Sequence, residues 1–355
     1  MANAVKHLSP LQRAGTLPEL HHLEYLLARG ARHLRADIVA HVDRDDLPLH
    51  CVELGSTAPD APAIGFFGGV HGVERIGSQV VLAFLQGLVE RLDWDAGLQE
   101  TLQHLRLVFM PLVNPGGMRA GRRSNPDGID LMRNAPVEAR DRTPLLLGGQ
   151  RLSTHLPWYR GARDAGMAPE ARAVCDVVES RLLSQPFALS LDCHSGFGAR
   201  DRLWFPYAHT LAPIECLAEI YALRCRFRDA HPYHSIYLIE PQANRYTTHG
   251  DLWDHLYLRS RERAHAPLFL PLTLEMGSWL WVKKSPSQLF SLLGIFNPLS
   301  PHRHRRILRQ HTTLLEFLVQ AARSHRHWVP RGEARRDSER AALDHWYADR
   351  PKPAH

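Results

Sequence analysis

Ala63-Ile64-Gly65-Phe66-Phe67-Gly68-Gly69-Val70-His71-Gly72-Val73-Glu74 decides how this chain is read. Residues 63–70 are a continuous apolar run of strand length, the pattern of a strand buried on both faces of a sheet. Ile76, Val80, Leu85, Leu88 and Leu92 follow at helical spacing, so the strand feeds through glycines straight into a helix. In such α/β sheets ligands collect at the carboxyl ends of strands, which is where His71 and Glu74 stand.

The same alternation continues outward. Further strands are expected at residues 105–113, 187–192, 202–205, 235–239 and 268–274, and helices at about 169–183 and 302–322. Residues 38–42 and 47–54, joined by Asp43-Arg44-Asp45-Asp46, read as an antiparallel hairpin on the N-terminal side. Thr16, Pro18 and Glu19 start a helix with one apolar face, formed by Leu17, Leu20, Leu23, Leu26 and Leu27. The expected architecture is a single α/β/α domain with a mixed, mostly parallel central sheet covered by helices on both faces. Its expected limits are 36–325, preceded by a helical leader at 1–35 and followed by a charged tail at 326–355, loosely attached from Pro330 onward.

Composition narrows the function classes. The 355 residues are 44% hydrophobic and 23% charged, values of a globular protein rather than a disordered or multi-span membrane chain. The formal charge of +6 comes almost wholly from arginine, since the lysines are Lys6, Lys283, Lys284 and Lys352. This suits anionic small ligands and falls short of the dense basic stripe of a nucleic-acid binder. Five cysteines without a CxxC pair argue against a disulfide framework and for a reducing, cytoplasmic setting. The start lacks the pattern of a secretory signal, and residues 267–282, broken by Pro271 and Glu275, are too short to span a bilayer, so no membrane partner is expected.

Three strand ends carry the chemistry. His71 and Glu74 follow the first; the same spacing recurs at His21 and Glu24 on the N-terminal helix, where it reads as a solvated face. Asp192-Cys193-His194-Ser195-Gly196 supplies a second histidine. Two histidines and a carboxylate form a catalytic zinc set that leaves one position to water, although spacing alone also allows His71 and His194 to be ordinary hydrogen-bonded histidines. At the third, Leu272-Thr273-Leu274-Glu275-Met276-Gly277, an acid follows an apolar run. Its alternatives are a base in a polar cleft and a structural ion pair. Residues 119–134 form a turn-rich loop with Arg119, Arg122, Arg123 and Arg133, suited to a substrate carboxylate or a developing oxyanion, or simply to pairing with Asp127 and Asp130. Cys193 reads as an inert buried thiol, and 301–306 as the basic opening of a helix.

Taken in order, these segments resemble the zinc carboxypeptidase family over about residues 45–320. The resemblance implies one Zn2+ per chain held by His71, Glu74 and His194, with Glu275 as general base and acid. It implies Arg123 as the oxyanion arginine, Arg133 with neighbouring Asn134 at the substrate carboxylate, and Tyr246, eight residues before Asp254, as the substrate-capping tyrosine. Trp253 falls at the position that helps define the side-chain pocket, where a bulky indole disfavours basic terminal residues. Met132 replaces the family's asparagine and removes one hydrogen bond to the carboxylate. The expected function is hydrolysis of an amide bond next to a free carboxylate, in a peptide or acyl amino acid. The alternatives are a deacylase or amidase of N-acyl amino acids or cell-wall-type peptides, and a noncatalytic peptide- or anion-binding relative. No oligomeric state is implied.

Overall fold

Residues 17–196 and 198–348 are described by a computed structural model. Thr16, expected at a helix start, lies outside them. Eight strands make one sheet: β1 (Arg35–Val42), β2 (Leu47–Gly55), β3 (Ala63–Gly68), β4 (Arg106–Met110), β5 (Phe187–Gly196), β6 (Asp201–Phe205), β7 (Tyr237–Pro241) and β8 (Leu268–Gly277). Their order is β1-β2-β4-β3-β5-β8-β6-β7. The centre, β4-β3-β5-β8, is parallel. The expected hairpin β1–β2 forms one flank and pairs antiparallel with β4, while β6 runs antiparallel to β8 on the other.

Alternation along β3 shows the layering. Phe66 packs its ring on Phe84 of helix Arg75–Val89, and the next residue, Phe67, packs on Trp253 of helix Leu252–Arg261. Successive side chains of a strand point to opposite faces, so these two helices cover opposite sides of the sheet. Every residue of β3 is buried, as its unbroken apolar run requires. The helix lies close because Gly77 brings its backbone against the Cys193 carbonyl, where a Cβ would overlap.

Two expectations need correction. The strands of the second and third motifs do not stop at Asp192 and Leu274; β5 runs on to Gly196 and β8 to Gly277. Continued parallel pairing holds both in the ladder, and places His194 directly across from Glu275. Residues 332–346, within the tail expected to be loose from Pro330 onward, are not loose either, because helix Gly332–Trp346 docks on helix Leu217–Ala230. Its apolar content is low because few groups do the anchoring: Ala342 and Trp346 are buried, the indole donates to the Ile239 carbonyl at 2.8 Å, and Arg335 pairs with Glu219 at 2.7 Å. The N-terminal helix, Pro18–Arg29, buries its leucine face and also Glu19, which pairs with Arg75 at 3.1 Å. No helix among the described residues is long and apolar enough to cross a membrane. The five cysteines are free, and Cys193 is buried as expected.

Candidate metal centre and its cleft

The chain leaves β3 through Gly69, in the left-handed conformation, and this turn delivers His71 to the strand's carboxyl end. Glu74 sits at the amino end of helix Arg75–Val89, three residues on. His194 reaches the same place from β5. His71 Nδ1 lies 2.9 Å from Glu74 Oε1, His194 Nδ1 lies 3.1 Å from Glu74 Oε2, and the two Nδ1 atoms are 3.2 Å apart. All three residues are buried, and their ligand atoms lie within 4.8 Å of one another.

Each imidazole is held from behind by a carboxylate. His71 Nε2 meets Asp130 Oδ1 at 3.2 Å, and His194 Nε2 meets Asp192 Oδ2 at 2.7 Å. Asp192 Oδ2 also accepts from the Trp253 indole at 2.9 Å, whereas its Oδ1 is buried without a hydrogen-bond partner. Burial works against charge on His194, yet Asp192 and Glu74 raise its basicity well above the ordinary imidazole value. Burial likewise opposes ionisation of Glu74, but His71 and His194 hold its carboxyl well below the usual range. Asp130 is also held low despite burial, chiefly by Arg123. Two imidazole nitrogens and a carboxylate converging, each histidine oriented by a carboxylate, is the donor chemistry of a zinc site. These residues fit that metal.

A cleft of about 660 Å³ opens over the triad. It brings together, besides the three ligand candidates, Glu275, Arg123, Arg133 and Tyr246, so these sequence-predicted residues share one site. The Glu275 carboxyl is pushed up to about 7 by burial and by the charge of Glu74. It fits beside β5 only because residue 196 is glycine; a Cβ there would overlap its carboxylate. Arg123 donates from Nε to Asp130 at 2.9 Å and from Nη1 to Glu74 at 3.1 Å. Arg133 is buried, its Nε has no hydrogen-bond partner, its Nη1 donates to the Met132 carbonyl at 3.3 Å, and Tyr246 lines the cleft with it.

Trp253 and Asn134 are not part of the cleft lining. Trp253 is fully buried under β3 and β5, where its ring packs on Phe67 and its indole N–H serves Asp192. It therefore supports His194 instead of shaping a substrate pocket. Asn134 is turned into the fold, donating to the Arg160 carbonyl at 2.8 Å and accepting from Ala168 N at 2.5 Å. The cleft also contains residues that sequence reasoning passed over: Trp158, Arg202, Trp204, Gln242 and Arg245. Asp192 had a readable signal, since residues two apart on a strand share a face, which puts its carboxylate beside His194. For Arg202 and Arg245 no local pattern exists; strand order alone brings them in.

Comparison with known proteins agrees with this geometry. A segment of the chain covering 39% of it is 25% identical over 138 residues to carboxypeptidase D of Anas platyrhynchos, but covers 9% of that much longer protein. Among solved structures, bovine thrombin-activatable fibrinolysis inhibitor in complex with tick carboxypeptidase inhibitor superposes with a TM-score of 0.62 at 16% identity, covering 87% of this chain and 97% of the other. Carboxypeptidase A from Helicoverpa armigera gives the same score at 14% identity, over 85% of this chain and 71% of that one. At such identities these two establish the fold. The zinc carboxypeptidase profile matches residues 44–277, well over half of the 355 and inclusive of both histidines, Glu74, Arg123, Arg133, Tyr246 and Glu275, and on that match the chain belongs to the zinc carboxypeptidase family.

Proposed function

We propose that this protein is a zinc-dependent hydrolase of the carboxypeptidase type, cleaving an amide bond next to a free carboxylate. The observation that carries the reading is the meeting of the His71, Glu74 and His194 ligand atoms, with Glu275 set across from His194 in the β5–β8 register. His71, Glu74 and His194 would hold one zinc, which supplies a Lewis acid for the carbonyl and lowers the pKa of water.

The chain's own groups account for the rest. Burial raises the pKa of the Glu275 carboxyl, which favours its taking up a proton and releasing it again. Glu275 accordingly accepts a proton from the attacking water and returns it to the nitrogen that leaves. Arg123 reaches into the cleft with a guanidinium anchored on Asp130 and Glu74, and donates to the oxygen on which negative charge develops. Arg133 binds the substrate carboxylate: a buried guanidinium with an unmet Nε–H gains most from an anion that can accept two parallel bonds. Tyr246, which lines the same cleft as Arg133, caps that end.

Met132 lines the cleft beside Arg133 and donates no hydrogen bond through its side chain, so the carboxylate is held with one donor fewer than in the family pattern. This keeps a second reading in play, deacylation of N-acyl amino acids with the same metal set and base. Paired substrates with free and amidated carboxyl termini test the reading. Free termini should be cleaved at least tenfold faster, and Glu275→Gln should retain zinc while losing about 10²-fold or more in kcat. Equal rates on free and blocked termini would remove Arg133 from its role. A zinc-loaded protein inert toward peptides and acyl amino acids alike would point to a binding protein.

A further inference from the structure

Beyond Arg133 and Arg123, the cleft holds two more arginines, Arg202 and Arg245, on its β6–β7 side. Their placement follows from register. Arg202 stands across from Glu275, and Trp204 across from Thr273, in the antiparallel β6–β8 pair, so these four side chains share one face. Glu240 joins that face because β7 pairs it with Trp204.

Glu240 is already engaged by both arginines. Its Oε1 accepts from Arg202 Nε at 3.0 Å, from Arg245 Nε at 2.7 Å and, more weakly, from the Trp204 indole at 3.5 Å; its Oε2 accepts from Arg245 Nη2 at 3.2 Å. A buried carboxylate already paired with two arginines is a poor receptor for a substrate cation. One acid shared by two guanidinium groups leaves a unit of positive charge, and terminal N–H groups of both arginines that the acid does not engage. Nη1 of Arg202 has only a long contact of 3.4 Å to the Arg200 carbonyl. Glu240 is buried and Arg202 mostly covered, Arg245 stands exposed at the rim, and Trp204 packs edge-on against Tyr246 at 6.1 Å.

We infer that Arg202 and Arg245, braced by Glu240, form a subsite for a second substrate carboxylate, so that the released residue carries an acidic side chain, glutamate or aspartate. The inference rests on the hydrolase reading above and names its substrate class. Arg133 takes the terminal carboxylate, and the Arg202–Arg245 pair takes the side chain beside it. Fork-shaped guanidinium donors recognise a carboxylate with two bonds, and reject an amide of the same shape because it offers one acceptor and no charge.

The test uses the zinc-loaded full chain and N-acyl dipeptides differing only in the last residue: Glu, Gln, Lys or Leu. The expected kcat/KM for Glu exceeds that for Gln by about 10- to 100-fold, the range of a charged hydrogen bond. Arg202→Gln and Arg245→Gln should each bring the Glu:Gln ratio close to one. A succinyl-dipeptide ending in Gln places the second carboxylate on the acyl side, and it should not regain the lost rate. Affinities of Glu- and Gln-terminated peptides for Glu275→Gln, measured by calorimetry, separate this inference from the reading beneath it. Preferential binding of the Glu peptide without hydrolysis by the wild type would overturn the hydrolase and leave the subsite standing. Hydrolysis with a Glu:Gln ratio near one, rescue by the succinyl group, or equal binding of both peptides would overturn the subsite.

Discussion

Both imidazoles of the centre are fixed through their far nitrogens, His71 by Asp130 and His194 by Asp192, and this fixes which nitrogen faces inward. Asp192→Asn should therefore weaken zinc binding by about 10- to 100-fold, measured by competition with a chromophoric chelator. Trp253→Phe removes a donor to Asp192 without touching the cleft, and should weaken zinc less than Asp192→Asn does. An unchanged zinc affinity in both variants would mean that the carboxylate does not orient His194. Gly196→Ala tests the other side of the site: the added methyl displaces Glu275, so hydrolysis should fall while zinc stays bound. At this scale His71, His194 and Glu275 were legible as polar residues at or just past the ends of apolar runs, and Glu74 by its spacing from His71, with the family resemblance supplying their roles. Trp253 was misplaced because the resemblance fixes its position in the chain and not which way the indole turns once it has a buried acid to meet.

Strands and helices were legible as elements, with ends that shifted for physical reasons. The apolar runs of β5 and β8 stop short of the chemistry, but ladder pairing between neighbours extends both strands past it. Pairing is a long-range contact, which a single segment's composition does not record. Helix Pro301–Arg323 buries His311, whose Nδ1 meets the Tyr237 hydroxyl at 2.8 Å, with Asp201 at 3.9 Å and His234 nearby. Burial lowers its pKa to about 3, from an ordinary 6.5. A base with a depressed folded-state pKa contributes stability that is present above about 6.5 and lost as pH falls toward 3. Between pH 7.5 and 5 that loss is about 2 kcal/mol, and His311→Gln should flatten this part of the stability curve in urea titrations. Unaltered acid sensitivity would show that His311 is not held neutral. Helix Gly332–Trp346 is anchored chiefly by one indole, so Trp346→Ala should cost about 3 kcal/mol in the same assay. A loss near zero would return that helix to the loosely attached tail its composition suggests.

Over the whole molecule, strand order gathers what the sequence scatters. The chain leaves β3 for β4 on one side and later returns to β5 on the other, so β3 marks a reversal of strand order, where ligand sites form in open α/β sheets. His71 at the end of β3 and His194 near the end of β5 flank this point, and Glu275 arrives on β8, the next strand over. The class of sheet could be read from alternating strands and helices. The order could not, which is why Arg202 and Arg245, with Glu240 behind them, entered the site unannounced. The account as a whole depends on one shared cation. Elemental analysis of the purified chain after equilibration with zinc and removal of excess should give about one zinc per chain in the wild type and in Glu275→Gln, and little in His194→Ala. Wild-type protein without bound zinc, or His194→Ala with as much as the wild type, would contradict it.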